Sequence, residues 1–380
     1  MDAIYLDHAA TSPVHPDVIQ AMLPVMEQTF GNPSSIHQFG RKARQLLDEA
    51  RNTAAQSIQA SEKNIIFTSG GTEADNLALL GTAWANKDKG KHIITTKIEH
   101  HANLHAAESL EKQGFHVTYL PVQQTGQVAI EDLRAALTDQ TILVSIMMVN
   151  NETGVIQPIR EIGEILKEHQ AYFHTDAVQA YGICDIDVNE LGVDLLTVSS
   201  HKVNGPKGTG FLYIKDGVRI KTMQFGGEQE RKRRPGTENV TNIVGFQKAI
   251  ELIIQDKKQR LDDYQAYKET LLGMLEKEKV HYSINGENTV TVPTIVNISF
   301  PGANVESLLM NFDLAGIAAS SGSACTAGSV EPSHVLAAMY GNEDERTVNS
   351  IRFSFGLAND KEQIEEAATK IAAIVNRVVS

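Results

Sequence analysis

One lysine of this chain follows a mostly apolar run and precedes a turn rich in glycine and proline. Residues 195–198 lead into Ser199-Ser200-His201-Lys202, and the segment 203–208 comes next. This pattern predicts a buried strand that delivers Lys202 to the turn at its end. A lysine held partly out of water has a lowered pKa and can attack a carbonyl, for example the aldehyde of pyridoxal phosphate. An exposed lysine at a strand end has the same local pattern.

Other polar segments also follow predicted strands. Gly71 and Thr72 open a predicted helix, where free N–H groups and a hydroxyl can bind a phosphate. Asp176 ends a strand, and a carboxylate there can keep a pyridine nitrogen protonated. His100 can stack on a flat ring and move protons, and Asn151 can hydrogen-bond a ring oxygen or a substrate. Ordinary helix caps and turns explain each of these residues equally well when it is taken alone.

Two further side chains are candidates for nucleophilic attack and for carboxylate binding. Cys325 lies among small residues at 320–329, which is typical of an exposed loop, so it is a candidate nucleophile. A lone cysteine is also typical of buried packing. Arg352 is flanked by apolar residues and can clamp a carboxylate through two hydrogen bonds. His101 and His105 are spaced as metal ligands on a helix, but no third ligand pattern accompanies them.

The composition is that of an ordinary globular protein. A chain of 380 residues predicts two domains. The net charge of −13 disfavours nonspecific binding to nucleic acid or anionic membranes, although the basic run 231–234 can attract anions. Cys184, to which we assign no role, and Cys325 form no disulfide framework. Because the sequence also lacks a signal-peptide pattern and a membrane-length apolar run, we expect a cytoplasmic protein.

The polar residues need a scaffold that brings strand ends together. The predicted strands are residues 65–68, 92–96, 141–146, 171–176 and 195–199, and helical patterns lie between them at 72–85, 103–113, 130–137 and 159–169. This alternation predicts an α/β fold with a mostly parallel sheet covered by helices, in which ligands bind at the carboxyl ends of the strands. From about residue 258 a charged helix and further strands predict a smaller α+β domain. We expect a large domain at 13–257 and a small domain formed by 1–12 and 258–380.

Taken in order, the motifs resemble those of the cysteine desulfurases, which are pyridoxal-phosphate enzymes of fold type I in the class V aminotransferase group. The resemblance covers essentially the whole chain. It rests on residues 5–11, 30–35, 70–73, 99–100, 150–152, 176–179, 199–202, 234–239, 321–325 and 352–354. It implies a large domain with a mostly parallel, seven-stranded sheet and a small domain that carries the catalytic cysteine.

The resemblance also implies a role for each matching residue. Lys202 carries the cofactor and moves the Cα proton, Cys325 is the nucleophile that takes the sulfur, and His100 stacks on the ring and assists proton transfer. The other residues hold the cofactor ring (Asp176 and Gln179), its phosphate (Gly71, Thr72, Ser199, His201 and Thr237 of the partner subunit) or the substrate carboxylate (Asn32, Asn151 and Arg352). A homodimer with shared sites follows from the role of Thr237.

The implied reaction converts L-cysteine to L-alanine and leaves a persulfide on Cys325. The Ser-Ser-Gly-Ser-Ala-Cys form resembles the subgroup with a long catalytic loop, which serves iron–sulfur assembly and tRNA thiolation more often than selenocysteine cleavage. Scaffold-binding members extend further beyond the last helix than this chain does. An iron–sulfur scaffold and a tRNA thiouridylase are therefore both candidate sulfur acceptors.

Three alternatives remain from the sequence alone. A selenocysteine lyase and an aminotransferase are built on the same fold, but aminotransfer needs no cysteine nucleophile, so Cys325 argues against it. A catalytically silent binding protein is the third alternative. The joint presence of Lys202, Asp176, His100 and Cys325 disfavours it.

Overall fold

The computed structural model describes residues 3–322, 325–326 and 329–379, with the backbone alone at 325–326 and 329–330. Its helices are α1 (Pro16–Gln28), α2 (Gln38–Gln56), α3 (Gly71–Asn76), α4 (Thr82–Asn86), α5 (His101–Lys112), α6 (Ile130–Ala136), α7 (Ile159–Leu166), α8 (Gln229–Lys232, a single distorted turn), α9 (Val240–Gln255), α10 (Lys257–Lys277), α11 (Val305–Leu314), α12 (His334–Tyr340), α13 (Arg346–Asn349) and α14 (Lys361–Val379). Its strands are β1 (Ile4–Tyr5), β2 (Ile65–Thr68), β3 (His92–Thr96), β4 (His116–Leu120), β5 (Thr141–Ser145), β6 (Tyr172–Asp176), β7 (Leu195–Ser199), β8 (Gly210–Ile214), β9 (Ser283–Ile284), β10 (Ile295–Ser299), β11 (Ile317–Ala318), β12 (Cys325–Thr326), β13 (Ser329–Val330) and β14 (Ser350–Ser354).

A seven-stranded sheet in the order β2-β8-β7-β6-β5-β3-β4 forms the centre of the molecule. Its strand pairs are parallel except for those of β8, which runs antiparallel to both β2 and β7. Every residue of β3, β5, β7 and β8 is buried, as expected for a sheet with helices on both faces. The predicted α/β class with a mostly parallel, seven-stranded sheet is therefore confirmed.

Neighbouring residues of each strand pack on opposite faces of this sheet. Val144 and Phe211 contribute to a core shared with α2, α7 and α9, whereas Leu143 and Leu212 pack with α3 and α5. Full burial of side chains of this size contributes roughly 1.5–3 kcal/mol each. The two apolar layers hold the sheet rigidly and fix the positions of its strand ends.

A second sheet, β14-β10-β9, is antiparallel and has a core of its own. Phe300, Phe312 and Phe353 are fully buried there, together with residues of α10, α11 and α14. The first strand of the chain belongs to the same core, because β1 pairs in parallel with β11. The domain boundaries at 12/13 and 257/258 stay predictions.

None of the helices described is long and apolar enough to cross a membrane.

Candidate active site

A cavity of about 370 Å³ at the carboxyl ends of the central strands brings most of the predicted residues together. The predicted residues that line it are Gly71, Thr72, His100, Asn151, Asp176, Gln179, Ser199, His201, Lys202 and Arg352. They are far apart in the sequence and meet because parallel strands end at one edge of the sheet. A cavity of about 410 Å³ that includes Cys184 lies elsewhere and shares none of these residues.

Lys202 ends the tight turn that follows β7, and its side chain is held by main-chain oxygen atoms. Its Nζ atom donates hydrogen bonds to the carbonyl oxygens of Ala9, at 2.5 Å, and Ala10, at 2.7 Å. Burial lowers the pKa of Lys202 to about 8, and the positive charge of Arg352 adds to this effect. More of the amine is therefore uncharged near neutral pH than in an exposed lysine, as a nucleophilic amine requires.

Asp176 lies at the end of β6 and is fully buried. It accepts a hydrogen bond from the Val178 N–H at 2.8 Å, and burial raises its pKa although this bond and Lys202 act in the opposite direction. Asp75, which sequence analysis missed, also lines the cavity. Its Oδ1 atom has no hydrogen-bond partner among the described residues. Burial raises the pKa of Asp75 well above the usual value, and the nearby negative charge of Asp176 raises it further. Its spacing of four residues from Gly71 on a helix was the available signal.

The imidazole of His100 is neutral and has a defined orientation. Its Nδ1 atom accepts the Ala102 N–H at 3.1 Å, at the start of α5, so the proton of the neutral ring lies on Nε2. Burial lowers the pKa of His100 to about 4, and the charge of Lys202 contributes to the shift. His201, whose Nδ1 lies 3.1 Å from Thr11 Oγ1, has its pKa lowered to about 4 for the same two reasons.

The turn after β2 has two glycines, so a ligand group can come close to its backbone. Gly70 has φ +149°, a value that favours glycine, and Gly71 begins α3. A Cβ atom at Gly71 would lie 3.1 Å from Val178 Cγ2, so a larger residue would crowd the cavity wall. The hydroxyls of Thr72 and Ser199 border the same space. This cradle of small and hydroxyl-bearing residues suits a phosphate.

Arg352 is buried at the other side of the cavity and is already engaged by the protein. Its Nη2 atom donates to Asp7 Oδ1 at 2.7 Å, and its Nη1 atom donates to the Asn151 carbonyl oxygen at 3.0 Å. Its Nε atom is buried and has no partner in the part of the chain that the structure describes. Asp7 lies in a motif that supported the resemblance, but sequence analysis gave it no role.

Two predicted residues, Asn32 and Thr237, do not line this cavity. Asn32 and Thr237 are exposed, and Asn32 Oδ1 accepts a hydrogen bond from the Ser34 N–H at 2.9 Å. The side chain of Cys325 and all of residues 323–324 lie outside the described residues. The backbone of Cys325 and Thr326 forms β12, which pairs with β13. The roles of Asn32, Thr237 and Cys325 stay predictions.

The whole chain has relatives among known proteins. The model of the class V aminotransferases matches residues 4–366. The chain belongs to the class V aminotransferase family. The putative cysteine desulfurase IscS 1 of Bacillus subtilis (strain 168) is 56% identical over 378 residues and is covered completely, as is this chain. The cysteine desulfurase IscS of Methanosarcina thermophila is 50% identical over 99% of this chain and 93% of its own length.

Solved structures of similar proteins share the fold. A NifS-like protein is 33% identical and superposes with a TM-score of 0.92, over 99% of this chain and all of its own. SspA in complex with cysteine is 34% identical, with a TM-score of 0.82 over 93% of this chain and 98% of its own. Both agree with the assignment to the class V aminotransferases.

Further histidines of this class V chain stand near the cavity. His101 and His334 line it, and their ring centroids are 4.7 Å apart. His105 stacks on His101 at 5.2 Å. Among the residues described, no three His, Cys, Asp or Glu side chains are grouped so that they could hold a metal ion.

Proposed function

We propose that this protein is a cysteine desulfurase that uses pyridoxal phosphate to convert L-cysteine to L-alanine, leaving a persulfide on Cys325. The observation that carries the proposal is the buried amine of Lys202, which shares one cavity with Asp176, His100 and Arg352. It is supported by the relatives named as cysteine desulfurases at 46–56% identity over nearly the whole chain.

The cavity residues fit this cofactor. Lys202 provides the amine for the aldehyde, and the small and hydroxyl-bearing residues Gly71, Thr72 and Ser199 provide a cradle for the phosphate. The buried carboxyl of Asp176, whose pKa is raised by burial, would gain a cationic partner in a protonated ring nitrogen. When bound, pyridoxal phosphate supplies an electron sink for the negative charge that forms at the substrate Cα.

The residues around the cavity can handle the protons of the reaction. Because the pKa of Lys202 is lowered, its uncharged amine is available to take the Cα proton, and the carbonyl oxygens of Ala9 and Ala10 then stabilise the ammonium that forms. His100 lines the cavity, and its neutral ring carries a proton on Nε2 that it can donate. The guanidinium of Arg352 binds the carboxylate of the substrate and so orients the substrate in the cavity.

The sulfur step belongs to Cys325. As the thiolate attacks the substrate sulfur, an S–S bond forms and the substrate Cβ–S bond breaks. The electron pair left on carbon is protonated, so the organic product is alanine and Cys325 retains the sulfur as a persulfide. An acceptor protein, either a tRNA thiouridylase or an iron–sulfur scaffold, then takes this sulfur. Selenocysteine cleavage remains the alternative activity of the same site.

We expect Arg352→Ala to lower kcat/KM for L-cysteine by roughly 30- to 900-fold, because losing a buried charged contact costs about 2–4 kcal/mol. The cofactor should stay bound, since Arg352 contacts Asp7 and Asn151 rather than the phosphate turn. Steady-state alanine release and the absorption spectrum test the two parts. Arg219→Ala, which removes an exposed ion pair with Asp88, is the matched control. An unchanged kcat/KM in Arg352→Ala would rule out the role.

We also propose a homodimer that completes the sites. Ile19, Leu23 and Met26 form an exposed apolar stripe on α1, and the adjoining segment exposes Phe30 and Ile36, the latter to 91%. Large apolar patches of this kind mark interaction sites. Asn32 lies between the last two residues, so a second copy on this face would bring an exposed predicted site residue to the interface.

Light scattering should therefore give twice the chain mass of 41.5 kDa. Ile36→Glu should produce monomers with little activity, because it places a charge in the contact. Met310→Glu, at an exposed apolar position on α11, should remain dimeric. A monomer with full activity at the assay concentration would contradict the shared-site dimer.

A further inference from the structure

The strand that leads into the phosphate turn is an edge strand whose free side is covered by side chains. Among the strands that the structure describes, β2 is hydrogen-bonded to β8 alone. On its open side, Ile65 O accepts a hydrogen bond from Arg51 Nη1 at 2.7 Å, and the Phe67 N–H donates to Glu230 Oε2 at 2.9 Å. Ser69 follows the last residue of β2, and its N–H donates a hydrogen bond to Glu73 Oε2 at 2.8 Å. Side chains thus replace the missing neighbouring strand.

Each carboxylate on this edge is bound by an arginine. Arg51 donates to both oxygens of Glu230 at 2.7 Å, and the pair is buried. Arg234 donates to Glu73 through Nε at 2.8 Å and through Nη2 at 3.3 Å. Such two-point contacts fix both distance and orientation.

Glu230 and Arg234 come from one segment, residues 228–236, and its backbone is held in an unusual conformation. Glu230, Arg231 and Lys232 have φ angles of +44°, +57° and +65°, and none of them is glycine. Consecutive left-handed residues persist only where surrounding contacts enforce them. The buried Glu230 contact supplies this enforcement and places Arg234 beside the turn.

Glu73 and Arg234 act at the turn without entering the cavity. Neither residue borders it, whereas Gly71 and Thr72 do. Ser69 and Glu73 flank the turn, so the bond between them closes it. Burial by itself raises the pKa of Glu73, but the hydrogen bonds from Arg234 and Ser69 lower it overall, so the acceptor is an ionised carboxylate.

We propose that Glu73 and Arg234 are positioning residues that hold residues 70–72 in the conformation that binds the phosphate monoester of the cofactor. The inference rests on the proposed function in one respect, the use of this turn for the phosphate. It predicts a defect confined to ligands that carry the phosphate, whereas a general structural role would weaken every ligand and lower the melting temperature.

The experiment compares pyridoxal phosphate with pyridoxal, which has the same ring and aldehyde but no phosphate. Binding of each to the apoprotein is measured by absorption for wild type, Glu73→Gln and Arg234→Met. We expect Kd for pyridoxal phosphate to rise about 10- to 100-fold, the range found when the hydrogen-bond partners that orient metal ligands are removed. Kd for pyridoxal should change less than about twofold. The control is Lys232→Gln, whose ammonium pairs with Glu228 on the surface.

The double variant Glu73→Gln/Arg234→Met adds a second check. Since the two side chains act as one unit, its Kd for pyridoxal phosphate should be close to that of the single variants. Equal losses for both ligands, or wild-type Kd values in both single variants, would overturn the inference and leave the proposed function standing. Failure of the wild type itself to bind pyridoxal phosphate would overturn both.

Discussion

Lys202→Ala will fold and bind pyridoxal phosphate without a covalent bond, and its rate of alanine release will fall on the order of 10⁴-fold or more. The variant removes both the amine that attaches the cofactor and the base that moves the Cα proton, whereas the sheet that positions Asp176 is unaffected. The absorption band of the attached cofactor should be absent. Circular dichroism should match that of the wild type.

Lys207→Ala is the matched control, because Lys207 follows the same turn and is exposed. It should keep the absorption band and the activity. Borohydride reduction of the wild type makes the bond between cofactor and lysine permanent, so peptide mapping then identifies the attachment site. A label on Lys207 or any other lysine would show that Lys202 does not carry the cofactor.

Cys325→Ser should bind the cofactor like the wild type, and its spectrum should still respond to L-cysteine, but it should release less than about 1% as much alanine. The reason is that a hydroxyl is far less ionised than a thiol near neutral pH and is a poorer nucleophile toward sulfur. Wild type treated with L-cysteine without reductant should gain one sulfur atom on Cys325, seen by mass spectrometry and removed by a thiol.

The second cysteine provides the control for this experiment. Cys184 is half-buried, and burial raises the pKa of its thiol to about 11, so little thiolate forms at neutral pH. Cys184→Ser should therefore match the wild type in alanine release and in persulfide content. A persulfide that maps to Cys184, or wild-type turnover by Cys325→Ser, would contradict the mechanism.

The sequence predicted the central strands well because their local signal was strong. β2, β3, β5, β6 and β7 lie within one residue of the predicted bounds, since each is a short apolar run that ends in polar residues. β4 and β8 were not predicted as strands, and the antiparallel direction of β8 depends on which strands lie on either side of it. The helix predicted at 72–85 is interrupted by a wider turn at Leu77–Gly81, where Ile220 and Lys221 pack closely on Gly81.

The cavity and the turn beside it were predicted less completely, for physical reasons. The acceptors of the Lys202 amine are main-chain oxygens of Ala9 and Ala10, and a backbone group has no signature of residue type. Arg234 was part of a basic run that could attract anions, yet it is bound to Glu73, 161 residues away. No local pattern predicts such a contact. Asn32 and Thr237 are exposed in a single chain, so their roles depend on the proposed second copy.

The segment that contacts Lys202 also has a consequence for synthesis on the ribosome. Ala9 donates its N–H to Ser354 Oγ at 2.8 Å, Leu6 O accepts from the Ser354 N–H at 2.8 Å, and β1 pairs with β11. Residues 4–10 emerge first, whereas Ser354 and β11 emerge more than 300 residues later. Gln179, which donates to Ala9 O at 2.9 Å, emerges between them. A nascent chain therefore contains Lys202 well before Ser354 and β11 can anchor residues 4–10. Burial and the positive charge of Arg352 lower the pKa of Lys202, so the full shift arises only after residue 352 has been translated and packed.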